Sequence, residues 1–98
     1  MTEEIDENIE DTREAFVYVI GALPKGKPRT YVGWTYDIDA RLAAHNSGKG
    51  AKSTKGYFWK LLHTETFANK FEAMSREWYL KRDQSLRRKL REKLKRLD

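Results

Sequence analysis

None of the 98 residues is a cysteine, which excludes disulfides and thiolate metal sites and makes a cytoplasmic location the expectation. No apolar run approaches the length needed to span a bilayer, so no membrane partner is expected. The acidic N-terminus has neither the charge nor the apolar stretch of a secretory signal. Apolar residues are scarce as well, at 39%, although three Trp, five Tyr and four Phe supply bulk for a small core. A chain this short makes one domain of modest stability. No internal repeat is present. Only two prolines occur, and both fall in one short stretch, Pro24–Pro28.

The net charge of +5 conceals an asymmetry. Residues 1–14 carry seven acidic side chains and a single base, Arg13, for a net of −6, whereas residues 15–98 carry 19 basic against 8 acidic side chains, a net of +11. Dense negative charge with few apolar residues reads as an acidic disordered tail over 1–14. The remainder, 15–98, reads as one domain whose charge is the footprint of a polyanion binder, or simply of a basic surface.

The local pattern predicts β-β-α-β-α-α, a small α/β domain with a three-stranded, mostly antiparallel sheet. Ala15–Leu23 is apolar and rich in β-branched residues, and Arg29–Trp34 returns after the Pro/Gly-punctuated turn, so the two read as a hairpin. Asp37 is placed to cap a helix that runs to about Asn46 and stops at Gly48. Along it Ile38, Arg41, Leu42 and His45 share one face, which puts two ionisable groups where an amphipathic helix carries apolar ones. Tyr57–Phe67 reads as a third strand. Asn69 begins a helix ending near Arg82, and Ser85 one running to the C-terminus. In that last helix Leu86, Leu90, Leu94 and Leu97 form a narrow stripe that either packs on the domain or docks a partner.

Several residues carry chemistry. Around Glu77 the i±3 and i±4 neighbours are Ala73, Met74, Leu80 and Lys81; the carboxylate therefore either faces inward, where an acid needs a metal or cation, or pairs with Lys81 at the surface. Glu72 is expected to pair with Arg76, one turn on. An inward Arg41 needs an anion, and phosphate matches its fork. Tyr18 and Tyr31 lie on adjacent strands where both phenols can reach one end of the hairpin, or serve as packing residues. His45 alone reads equally as a satisfied core imidazole. The Gly48–Gly56 loop lacks the glycine that a phosphate loop carries directly before Lys-Ser, so nucleotide binding is rejected. Its Lys49, Lys52 and Lys55 suit nucleic-acid phosphates, or a solvated loop.

Phe16-Val17-Tyr18, Tyr31-Val32-Gly33, Trp34-Thr35, Arg41 with His45, the Gly48–Lys55 loop and Arg76-Glu77, in that order, resemble the GIY-YIG nucleases, in particular their short standalone branch. The resemblance covers residues 15–82. It implies a metal-dependent endonuclease acting on DNA, or RNA, with branched or damaged DNA in repair or recombination as the expected substrate. By the same resemblance Glu77 would hold one Mg²⁺ or Mn²⁺, Arg41 would stabilise charge on the phosphoryl oxygens, and Tyr18 would activate water with His45 as its relay. Tyr31 would position the water or phosphate, and Arg76 would join the loop lysines in nucleic-acid contact. Two departures stand out: the first motif keeps only its tyrosine, and the asparagine that many members carry beyond the glutamate is absent. These departures, with no separate DNA-targeting domain in view, leave a protein partner to supply specificity, or a weak or inactive nucleic-acid-binding module of the same fold.

If the acidic residues 1–14 shield the basic body by mimicking phosphate charge, their removal should tighten DNA binding, mainly at low salt. Binding isotherms across a salt series test this. An unchanged salt profile would mark the segment as a solubilising tail.

Overall fold

A computed structural model describes residues 12–97 of the chain; the expected disordered tail falls almost wholly outside them. The elements are β1 (Ala15–Ala22), β2 (Arg29–Thr35), α1 (Ile38–Asn46), β3 (Lys60–Phe67), α2 (Lys70–Lys81) and α3 (Gln84–Leu97). The strands form one sheet in the order β2-β1-β3, antiparallel throughout, as the sequence pattern predicts. Among the described residues no helix is long and apolar enough to cross a membrane.

β1 is central and buried on both faces, and its period-2 alternation divides the molecule. Ala15, Val17 and Val19 face α2 and α3, meeting Val32, Leu62, Ala73, Leu80, Leu90 and Leu94 in the larger core cluster. Tyr18, Ile20 and Ala22 face the other way, toward Trp59, with Tyr31, Leu42 and Tyr57 packed around them. One strand thus anchors the helical core with one set of side chains and builds the opposite face with the other. A register irregularity in β3 opposite Val19 and Ile20 gives Leu62 its place in the larger cluster.

The helix starts are set by side-chain caps. Asp37 accepts from the Ala40 N–H at 3.0 Å and Asn69 from the Glu72 N–H at 3.0 Å, both as the sequence predicts. α1 ends as expected before Gly48, which takes φ 82°. The start of α3 differs from expectation. Asp83, not Ser85, accepts from the Leu86 N–H at 3.0 Å, so the helix begins at Gln84. Asp and Ser cap about equally well, but a carboxylate directly ahead of the first turn also favours the helix dipole.

Three further expectations change. β3 begins at Lys60 rather than Tyr57, because both backbone polar groups of Trp59 are taken by a side chain: Asn46 Oδ1 accepts from its N–H at 2.6 Å and Asn46 Nδ2 donates to its carbonyl at 3.0 Å. Arg76 does not pair with Glu72. It grips Glu65 of β3 with two bonds, Nε to Oε1 at 2.7 Å and Nη2 to Oε2 at 3.0 Å, while Glu72 reaches back to the Ala68 N–H at 3.4 Å. The leucine stripe of α3 packs on its own domain: Leu90 and Leu94 are buried and Leu86 borders them, with only Leu97 well exposed. A partner-docking role for the stripe is therefore set aside.

Arg76, and after it His63 at 2.8 Å, hold the Glu65 carboxylate down at about 2, against an ordinary 4.5. A depressed carboxylate stabilises the fold above its unfolded pKa and loses that contribution as pH falls through its folded one. Glu65→Gln should therefore destabilise the protein by about 2 kcal/mol at neutral pH, the scale of a hydrogen bond to a charged group. In denaturant unfolding, the gap from wild type should shrink steadily below pH 4.5 and nearly close by pH 2.

Candidate active site

The face of the sheet opposite α2 and α3 carries four of the five sequence-predicted catalytic residues in direct proximity. Tyr18 comes from β1, Tyr31 from β2, and Arg41 and His45 from the inner side of α1. The i, i+4 spacing on α1 aims guanidinium and imidazole at the same place. The Tyr18 and Tyr31 rings lie 6.4 Å apart between centroids, and the His45 ring lies 5.8 Å from Tyr18 and 5.0 Å from Tyr31.

Two glycines make this density possible. Gly33 pairs across the ladder with Tyr18, so both face the same way. A Cβ at Gly33 would lie 2.6 Å from the Tyr18 hydroxyl oxygen, which gives the third residue of Tyr31-Val32-Gly33 a steric reason. Gly50 presses the following loop onto His45, where a Cβ would collide with Nδ1.

The polar groups are chained together. Tyr18 Oη and His45 Nε2 are 2.8 Å apart, and His45 Nδ1 and Thr54 Oγ1 are 2.9 Å apart. Thr54 Oγ1 in turn donates to the Ala51 carbonyl at 2.7 Å. Tyr18 is 1% exposed, and His45 and Thr54 are fully buried. Arg41 is half-buried, and the neighbouring phenols, Tyr18 above all, favour its charged form and raise its pKa. Burial raises the pKa of Tyr18 despite the lowering effect of Arg41, and burial followed by the Arg41 charge lowers that of His45. Both groups are thereby held in their neutral forms.

Glu77 approaches from α2, on the far side of the sheet. Its charge is felt at Tyr18, where it opposes ionisation. The side chain is 20% exposed and sits 3.6 Å from Lys81 Nζ, one turn on, so the inward-facing and ion-paired alternatives are both partly realised. Lys49, Lys52 and Lys55 are exposed on the loop that delivers Thr54. Arg76 comes from α2, with its guanidinium committed to Glu65.

Sequence reasoning passed over Thr54, Asn46, Gly50 and Trp59. All four hold the loop that closes over His45: besides the Asn46 clasp, the Trp59 indole donates to the Thr54 carbonyl at 2.7 Å. The available signal was Asn46 next to His45, and the aromatic run Tyr57-Phe58-Trp59 that ends a lysine- and glycine-rich loop. Read by composition, the loop looked solvated.

A single carboxylate fits a hard cation that keeps most of its shell as water and phosphate oxygens, in the manner of Mg²⁺ or Mn²⁺. A closed protein cage does not fit: among the described residues no three His, Cys, Asp or Glu side chains cluster as a ligand set.

The chain is similar to known proteins over most of its length. Residues 14–91 match the GIY-YIG catalytic domain. The chain is 51% identical to the UPF0213 protein of Clostridium perfringens over 68 residues, 68% of this chain and 70% of that protein. It is 48% identical to UPF0213 protein YsiG of Lactococcus lactis over 67 residues, 67% of this chain and 62% of that one, so the match leaves more than a third of YsiG uncovered. A UPF0213 protein of Streptococcus pyogenes is 40% identical over 80 residues, 81% of this chain and 84% of its own. No solved structure matches significantly.

Gly33→Ala isolates the steric demand at the phenol. The added methyl should force Tyr18 off its hydrogen bond to His45 and lower stability by roughly 1–3 kcal/mol, the usual cost of overpacking. Thermal unfolding and the ring resonances of Tyr18 and His45 read both effects.

Proposed function

Since the chain belongs to the GIY-YIG family, whose domain is of nuclease type, we propose that it is a metal-dependent endonuclease hydrolysing phosphodiester bonds in DNA, branched or damaged forms among them. Residues 15–98 are the working unit, and the acidic residues 1–14 an appendage to it. The observation that carries the reading is the continuous path from the Tyr18 phenol through His45 to Thr54, with the charged form of Arg41 favoured by the same phenols.

Arg41 is the phosphate-binding group. Its fork takes the phosphoryl oxygens and puts positive charge where negative charge builds in the transition state. Tyr18 then takes a proton from the attacking water as its own proton passes to His45 Nε2, so that no free phenolate is needed. The water oxygen bonds to phosphorus and the bond to the leaving oxygen breaks. Tyr31, half-buried at the rim, orients the water or the phosphate. Glu77 would hold the Mg²⁺ or Mn²⁺ ion, which when bound supplies Lewis-acid stabilisation of the leaving oxygen. Lys49, Lys52 and Lys55 contact flanking phosphates. Arg76 contributes to the same basic field, already half-neutralised by Glu65.

A second reading, a nucleic-acid-binding module without turnover, is favoured by one observation: Lys81 already occupies the Glu77 carboxylate. The two readings differ in the products formed.

Supercoiled and branched DNA incubated in Mg²⁺ and in Mn²⁺ should be nicked by the wild type. Glu77→Ala should abolish the metal-dependent product, and Arg41→Ala should lower kcat roughly 100- to 1000-fold, as for loss of one transition-state donor. Equal cleavage by Glu77→Ala, with contaminating nucleases removed, refutes the assignment. Salt-sensitive binding with no product from any of the three supports the second reading.

A further inference from the structure

We propose that Thr54 is a positioning residue that fixes the tautomer of His45 and so makes its Nε2 the acceptor for the Tyr18 proton. The inference deepens the hydrolytic reading above and rests on it for its catalytic consequence, though not for the tautomer itself.

The assignment follows from counting protons in a buried chain. Thr54 has one hydroxyl proton, and the shorter of its two contacts is to the Ala51 carbonyl at 2.7 Å, which can only accept. Its oxygen then presents a lone pair to His45 Nδ1 at 2.9 Å, so Nδ1 carries the hydrogen and Nε2 is bare. Nε2 therefore receives the O–H of Tyr18 at 2.8 Å. The opposite arrangement fails at the other end. If Nε2–H donated to the phenol oxygen, the phenol's own proton would have no acceptor among the hydrogen bonds of the described residues, at a residue 1% exposed. Burying an unmatched donor costs about 1–3 kcal/mol, enough to decide between tautomers. Only the first arrangement satisfies every group, and among the described residues no buried side-chain nitrogen or oxygen lacks a partner.

The loop is built to deliver this hydroxyl. Gly50 lets the backbone lie against the imidazole, and Thr54 sits in a single 3₁₀ turn, Lys52–Thr54, whose own backbone N–H also bonds the Ala51 carbonyl at 3.0 Å. The Trp59 indole and the Asn46 amide hold the turn from behind. When Tyr18 passes its proton to Nε2, the imidazolium that forms is already donating from Nδ1 to Thr54 Oγ1, whose proton stays directed at Ala51. No group has to reorient during the transfer.

The test uses the full chain labelled with ¹⁵N, the His45 ring read by long-range ¹H–¹⁵N correlation, and cleavage kinetics on the DNA that the wild type nicks. Wild type should show the Nδ1–H tautomer. Thr54→Val, which keeps the shape and every backbone contact, should shift His45 toward Nε2–H and lower kcat about 10- to 100-fold, the range for losing a partner that orients a functional histidine, with KM little changed. Thr54→Ser should restore both the tautomer and the rate. An Nε2–H tautomer in wild type overturns the proposal. So does a Thr54→Val protein that loses rate while keeping the wild-type tautomer, since that is the mark of a merely structural role. A wild type with the expected tautomer and no cleavage of any DNA upholds the assignment of Thr54 and counts against the hydrolytic reading instead.

Discussion

A tyrosine hydroxyl and a histidine nitrogen meet at 2.8 Å in a place from which water is excluded, and that contact dictates much of what surrounds it. In water such a bond contributes little, because both partners have alternatives. Buried, each group must be matched, and the next partner matched in turn. Tyr18 requires His45, His45 requires Thr54, and Thr54 requires the Ala51 carbonyl. The chain of demands ends at backbone. Gly33 and Gly50 are bare because phenol and imidazole occupy the space that a side chain would need.

Around this interior sits a rim of different character. Arg41 and Tyr31 are half-buried and the loop lysines exposed, so an anion meets charge first and the neutral relay only behind it. Burial and Arg41 together work against charge on His45, and burial works against charge on Tyr18. The resting site is thus one positive group over two neutral ones, an arrangement that attracts phosphate with no ion pair, among the described residues, competing for the guanidinium. Positive charge elsewhere is partly consumed by the fold. Arg76 is spent on Glu65, and Arg87 bonds Thr30 and the Lys81 carbonyl to pin α3 to β2 and α2.

The element order, the antiparallel hairpin and the helix caps at Asp37 and Asn69 were legible because they depend on near neighbours: period, turn residues and a side chain three positions from the N–H it accepts. The shared face of Arg41 and His45 was legible for the same reason. What could not be read was set by contacts between elements. Glu72 and Arg76 have ideal helical spacing, yet the arginine prefers Glu65, which offers two oxygens in a less exposed setting. β3 starts late because an amide from α1 replaces a strand partner at Trp59. Thr54 was invisible in a loop whose composition says solvent, since composition cannot report that one hydroxyl in it faces a buried imidazole. The position of Glu77 relative to the phenols required the third dimension as well, because α2 packs on the opposite face.

The strand order also sets the lengths of chain that must be closed. β1 meets β2 through a short turn, but meets β3 only after the whole of α1 and its loop has been laid down, and closing the longer segment costs more chain entropy. The hairpin brings the two tyrosines onto one surface. The segment that seats the imidazole and Thr54 leads directly into β3 and is held by Trp59 just before that strand begins. An opening that releases β3 therefore loosens the loop behind His45 while leaving both phenols in their hairpin. The relay thus depends on the longer of the two chain closures, whereas the pairing of the phenols depends only on the shorter.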